Sequence, residues 1–394
     1  MRKLLIALST AGIVATGALA AGAPPTDPPG AIAGAFARRS YAPGAEATLV
    51  LLHPVEHASL TLVPAARFLP GWRPSATSGP VHGSTLRFRI PAKAASGLYF
   101  AVVATGKRFG SAPFILRPAH LGEKRVLVVL PTNTWEAYNF RGGDSWYFDA
   151  AVHVVDLTRP FFSPGLPPHY AGYDLGFQVW LAKHDKHPDV IADDDLDAVA
   201  SGDVLARDYD LIVFSGHEEY VTSHMYDVIQ RYRDLGGNLM FLSANNFFYK
   251  VIHSGNRITG RWRWRDLGRP EARLIGAQYV DWNHQIYKNK PYTVTGVEKA
   301  PWLFRGTNLR DGSTISGTFG IEIDARNSLS PPGTKVLATI PNEFGPGKTA
   351  EMTYYETARG SKVFDAGTIN FGGAARRPTV AKMLENLWNR LRRP

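Results

Sequence analysis

Residues 208–249, DYDLIVFSGHEEYVTSHMYDVIQRYRDLGGNLMFLSANNFFY, constrain the fold more than any other stretch. Leu211-Ile212-Val213-Phe214 is an apolar run of the length a buried strand needs. It leads into Ser215-Gly216-His217-Glu218-Glu219, and then into a segment with Met225, Val228, Ile229 and Tyr232 at helical spacing, closed by Gly236-Gly237. A second apolar run, 239–242, completes a strand–helix–strand unit and delivers Ser243-Ala244-Asn245-Asn246 to the same edge. In open α/β sheets ligands bind outside the carboxyl ends of strands, so two adjacent strand ends bearing His, Glu and Asn are the first place to look for chemistry.

The chain around this unit changes grammar twice. Residues 33–119 hold short β-like runs (47–52, 59–63, 85–90, 97–103 and 114–118) separated by Pro, Gly and Ser, which predicts a small all-β sandwich domain. At Val126-Leu127-Val128-Val129-Leu130 the apolar run becomes continuous, the pattern of a strand covered on both faces. A helix over 176–184 and a strand over 189–192 follow. From 124 to 394 these patterns predict an α/β domain built on a doubly wound, mostly parallel sheet of the flavodoxin or glutamine-amidotransferase kind. Residues 254–345, rich in Gly, Arg and Trp, read as elaborated loops and short strands. A late hairpin over Gly360 and an amphipathic helix over 379–391 close the chain.

The N-terminal residues carry an address. Arg2-Lys3 precede an apolar, small-residue run over 4–20, and Ala18-Leu19-Ala20 offers a small-x-small cleavage pattern, so residues 1–22 read as a cleaved signal and the protein as secreted or periplasmic. Residues 23–32 are a Pro/Gly/Ala linker. The formal charge of +10 includes Arg2 and Lys3, and the remaining basic residues are scattered rather than striped, which argues against nucleic acid as a partner. With no cysteine, disulfides, thiolate nucleophiles, lipid attachment at a cleavage-site cysteine and amidotransferase chemistry are excluded. Walker, Gly-x-Ser-x-Gly, dinucleotide and His-Glu-x-x-His signatures are missing as well.

The residues themselves leave alternatives open. Period-2 geometry puts His217 and Glu219 on one face, which suits a metal ligand beside an acid–base group, a base with its orienting carboxylate, or a pair that holds a loop. Asn245 suits an amide donor to oxyanion charge or a turn residue. Tyr138, just past the first strand of the sheet, and Trp135 suit packing as well as a site. Tyr99 reads from spacing alone as core or interface of the β domain. Arg261-Trp262-Arg263-Trp264-Arg265 has the composition of a nucleic-acid or glycan platform, and equally of a loop packed by cation–π contacts.

Several motifs together resemble the large (beta) subunit of N,N-dimethylformamidase. They are Leu130-Pro131-Thr132-Asn133-Thr134-Trp135-Glu136-Ala137-Tyr138-Asn139, Gly142-Gly143, Ser215-Gly216-His217-Glu218-Glu219-Tyr220, Gly236-Gly237-Asn238-Leu239, Ser243-Ala244-Asn245-Asn246 and Tyr354-Tyr355-Glu356-Thr357. The resemblance covers about residues 85–390 and implies a mononuclear iron site, ferric by preference, held by two tyrosines and a glutamate. Matched residue by residue these are Tyr99, Tyr138 and Glu219, with His217 and Asn245 at nearby polar positions and Glu356, or else Glu351, as a further acidic residue. Phenolate and carboxylate are hard oxygen donors suited to such an ion. The implied activity is hydrolysis of a small-molecule amide to a carboxylate and an amine, in a chain free to form homo-oligomers. The chain is much shorter than the subunit it resembles. Two rivals stand beside it: a non-catalytic cell-envelope protein that keeps the fold and binds carbohydrate through its aromatic loops, and a carbohydrate-active enzyme pairing Glu219 with another carboxylate.

Overall fold

The computed structural model describes residues 26–69, 81–143, 145–147 and 151–392. The expected signal at 1–22 lies outside the described residues, as does the start of the linker. Within them no helix is long and apolar enough to cross a membrane.

The first sheet has six strands: Gly34–Phe36, Ser40–Tyr41, Glu46–Pro64, Val81–Arg89, Gly97–Thr105 and Arg108–Leu116. Its spine is Glu46–Pro64, a strand of 19 residues. That length exceeds what one flat strand usually sustains. Register shifts at Val50/Val55 and Val55/Ala58 break it, so its first part pairs with Val81–Arg89 and its second with Gly97–Thr105. Gly97–Thr105 is buried on both sides. Leu98, Phe100 and Val102 join the core of the larger sheet, whereas Ala101 and Val103 join a separate core with Phe36, Leu49 and Phe114.

The second sheet has eight strands, in the order Thr293–Val294, Lys335–Ile340, Ala350–Glu356, Lys362–Asp365, Asn238–Phe241, Leu211–Phe214, Val126–Leu130 and Asp189–Ala192. The last five are parallel neighbours, and the first three join by antiparallel pairing. Leu211–Phe214, Asn238–Phe241 and Val126–Leu130 are buried at every position, which is why they read as unbroken apolar runs. A four-stranded sheet (Tyr220–Val221, Tyr249–Ser254, Arg257–Arg263, Val154–Asp156) and a two-stranded sheet (Gln278–Trp282 with Glu322–Ala325) complete the described strands.

This architecture corrects the expectation of a doubly wound, mostly parallel α/β fold of the flavodoxin kind. The described chain is β-rich, with mixed and antiparallel sheets, and its helices are short: the longest, Pro378–Leu391, has 14 residues. The reason lies in 254–345. Strands such as Arg257–Arg263 and Gln278–Trp282 carry Gly, Arg and Trp and are broken by bulges, so they show no clean two-residue period. The apolar period of the unit at 208–249 is genuine, and Ser223–Asp234 is its helix, capped by the Thr222 hydroxyl accepting from the Met225 N–H.

Candidate active site

The strand Leu211–Phe214 runs into the turn that carries His217 and Glu219. Gly216 is required there: a Cβ would collide with the Asp174 carboxylate and the Pro131 ring. Glu218 turns the other way, where the charges of Asp193 and Asp174 add to burial in raising its carboxyl well above the usual range. The Glu219 N–H donates to Thr134 Oγ1 at 3.1 Å, which ties this turn to the short helix Thr132–Ala137. That helix ends at Tyr138, whose hydroxyl donates to Glu219 Oε2 at 2.7 Å.

Asn245 follows the next strand and sits at φ 56°, a left-handed conformation that Asn tolerates better than most residues. Both Asp324 oxygens fix the turn by accepting from the Asn245 N–H, at 2.9 and 3.1 Å. Held so, its side-chain amide bonds the carboxyl groups of Glu219 and Glu322, and its backbone carbonyl accepts from the His217 ring. His217 Nε2 has no hydrogen-bond partner, so the bond to Asn245 uses Nδ1 and leaves Nε2 a bare acceptor. Nε2 lies 3.7 Å from Glu219 Oε2 and 3.6 Å from Glu322 Oε2.

Burial dominates the electrostatics. It pushes His217 down to about 3, with His169 adding to the effect, so the imidazole is neutral. It pushes both Glu219 and Glu322 upward, and the Glu219 charge raises Glu322 further. Hydrogen bonds from Tyr138 and Tyr220 and the charge of Arg261 oppose the rise at Glu219. The Tyr138 phenol is held well above its ordinary value by burial, then by Glu219 and Glu322. Beside these groups, a cavity of ≈ 10 Å³ is bounded by Tyr138, Pro168, His169, Tyr173 and His217. That is about the room one water requires.

Of the sequence-derived residues, Tyr138, Glu219, His217 and Asn245 come together; Tyr99 and Glu356 do not join them. Tyr99 lies on the face of Gly97–Thr105 shared by Ala101 and Val103, where its ring stacks on Phe114 at 5.7 Å and its hydroxyl donates to the Ala95 carbonyl. Strand parity turns it into the small core, away from Glu219. Glu356 is an exposed residue at the end of Ala350–Glu356, bonded to the Tyr354 hydroxyl and to Arg390 at 3.0 Å. Its alternative, Glu351, accepts from the Arg326 N–H. Sequence reasoning missed Glu322. The signal was the alternation Ile321-Glu322-Ile323-Asp324, which puts both acids on one face of a strand. The basic–aromatic segment is the end of the strand Arg257–Arg263 and the helical turn after it: Arg261 lies over Trp146, Arg265 over Phe248 and Trp264 is buried, while Trp262 is exposed.

The donor set fits a hard cation. The Glu219 and Glu322 oxygens each lie within 4 Å of His217 Nε2, at 3.7 and 3.6 Å, and His217 Nε2 and Glu322 Oε2 lack any hydrogen-bond partner. Among the described residues no three His, Asp or Glu side chains are arranged to hold a metal ion, so a cation here would need the Tyr138 phenol. Tyr99 does not complete such a set.

Fold and site together define a β-rich chain with an acidic, phenol-lined pocket at the ends of its parallel strands. The chain belongs to the family described as N,N-dimethylformamidase beta subunit-like, C-terminal, whose model matches residues 83–382. The N,N-dimethylformamidase beta subunit of an Alcaligenes species is 24% identical, across 60% of this chain and 40% of the relative. That of Paracoccus aminophilus is also 24% identical, across 57% and 37%. The matched part is thus about two fifths of the length of these curated relatives. The solved N-terminal domain of mmIFT52 matches 55% of this chain and 90% of its own at 10% identity, and its TM-score of 0.34 is too low to bear on the fold.

Proposed function

We propose that this chain hydrolyses a small amide at the site formed by Tyr138, His217, Glu219 and Glu322. The observation that carries the reading is the bare Nε2 of a neutral His217 facing two buried carboxylates beside a phenol, at strand ends of a chain from this family. Tyr138, Glu219 and Glu322 would hold a mononuclear iron, ferric by preference for hard oxygen ligands, which when bound supplies Lewis acidity toward a carbonyl and a water.

The chain's own residues handle the proton. His217 Nε2 accepts it as the water oxygen bonds to the amide carbon, and returns it to the nitrogen as the C–N bond breaks, leaving a carboxylate and an amine. The Asn245 backbone carbonyl fixes the tautomer that this role needs. The Asn245 amide is a positioning group for the two carboxylates. With a leader at 1–22 the enzyme would act in the periplasm or outside the cell. Because both relatives are named as beta subunits, assembly with further subunits, copies of this chain included, belongs to the proposal.

The test is iron content and amide turnover of protein purified without added metal, wild type against Glu219→Gln. Loss of both in the variant supports the reading. Unchanged iron content removes Glu219 from it.

A further inference from the structure

Two partly exposed aromatic residues, Trp282 and Tyr147, lie around Glu322. Trp282 is the cross-strand partner of Glu322 in the two-stranded sheet, and directly opposed residues of an antiparallel pair project to the same face. The pairing therefore puts the Trp282 side chain on the face that carries Glu322, and 37% of Trp282 stays exposed. It is held in place: its ring lies 4.6 Å from that of His284, whose Nε2 is 2.8 Å from Asp281 Oδ1. From a distant part of the chain, Tyr147 comes to the same carboxylates. Its ring packs edge-on to Tyr138 at 4.9 Å, and 37% of it is exposed. After burial, the charge of Glu322 has the largest effect on its phenol, followed by that of Glu219.

The inner end of the site is the opposite in character. The ≈ 10 Å³ cavity between Tyr138, His169 and His217 takes about one water-sized group, and its walls include Pro168 and Trp135. A ligand spanning both ends is small and compact within and flat and apolar toward Trp282 and Tyr147. A wholly small amide such as an N-methyl or N,N-dimethyl compound would leave Trp282 and Tyr147 uncovered.

We propose that the substrate is an amide with a flat aromatic substituent laid against Trp282 and Tyr147, and with its other substituent no larger than about a methyl group. This rests on the hydrolytic reading given above and names the substrate class for that site.

The experiment measures kcat/KM for acetanilide and for N-methylacetamide in the wild type, Trp282→Ala and Trp282→Phe. The expected wild-type ratio favours acetanilide by about tenfold, the scale of one aromatic contact. The ratio falls toward one in Trp282→Ala and is restored in Trp282→Phe. A wild-type ratio near one, or a ratio unchanged in Trp282→Ala, overturns the aromatic subsite while leaving amide hydrolysis standing. If neither amide is cleaved, hydrolysis falls, and acetanilide titrated calorimetrically into the same proteins decides the subsite separately. Binding lost in Trp282→Ala and kept in Trp282→Phe supports it; no binding to the wild type, or equal binding to all three, overturns it.

Discussion

Two pairs of buried carboxyl groups are joined by one short strand and one asparagine. Glu322 and Asp324, two apart on Glu322–Ala325, share a face; the first meets Glu219, and Asp324 is close enough to Asp365 to raise it by charge. Asn245 touches both, giving its N–H to Asp324 and its side-chain amide to Glu219 and Glu322. Burial is the first cause of a raised carboxyl in every one of the four. A raised carboxyl therefore does not by itself mark a site. What separates the pairs is company. Glu219 and Glu322 face a bare imidazole nitrogen and a phenol, whereas Asp365 lies opposite Thr353 inside the sheet.

The comparison breaks first at Glu219. Glu219→Gln should lower amide turnover by at least about 10³-fold, with loss of iron. Turnover within tenfold of wild type would make the two pairs equivalent. His217→Asn should follow, with a loss of about 10²-fold confined to kcat because Nε2 acts on the proton in transit. A rise in KM with kcat kept would instead assign His217 to binding.

Asp365 sharpens the other side. Its carboxyl is held well above the usual range, so the folded protein keeps a proton that the unfolded chain gives up near pH 4. Stability from this group is greatest at the acidic end and declines as pH rises from about 4 toward the raised value. In Asp365→Asn the melting temperature should fall less steeply across that window, with kcat/KM within about threefold of wild type. An unchanged slope would show that Asp365 is ionised in the fold.

The smallest effects belong to the residues that the fold keeps apart from the site. Tyr99→Phe removes one hydrogen bond to the Ala95 carbonyl and should cost about 0.5–1.5 kcal/mol without altering iron content. Glu356→Gln loosens an exposed pair with Arg390, worth about 0–1 kcal/mol, and should leave turnover as it was. Metal loss in Tyr99→Phe, measured by elemental analysis, would require the Gly97–Thr105 strand to turn over in the working protein.

These residues also show what a sequence can and cannot disclose. Tyr138, His217, Glu219 and Asn245 were legible because each directly follows a strand, or a strand and one short helix, and strand ends gather at one edge of a sheet. Tyr99 was not, because Gly97–Thr105 is apolar on both faces and its sequence carries no mark of which parity faces which core. Glu322 was hidden in 254–345, where short strands with bulges blur the period; only the alternation Ile321 to Asp324 marked it. The parallel strands were readable from their apolar runs, and so was the antiparallel hairpin of Ala350–Glu356 with Lys362–Asp365 over Gly360; that this hairpin extends the parallel sheet was not, since it joins beside Asn238–Phe241, far away in the chain.

The central claim is that the Glu219–Glu322 pair, and not the Asp324–Asp365 pair, is built around a cation held in part by Tyr138. The most direct measurement is stoichiometric metal analysis with a visible absorption spectrum, on wild type, Tyr138→Phe and Tyr99→Phe purified without added metal. The account predicts iron and a tyrosinate-to-iron absorption band in the wild type and in Tyr99→Phe, with the band lost in Tyr138→Phe. A band that survives in Tyr138→Phe, or its absence from wild-type protein reconstituted with iron, would contradict it.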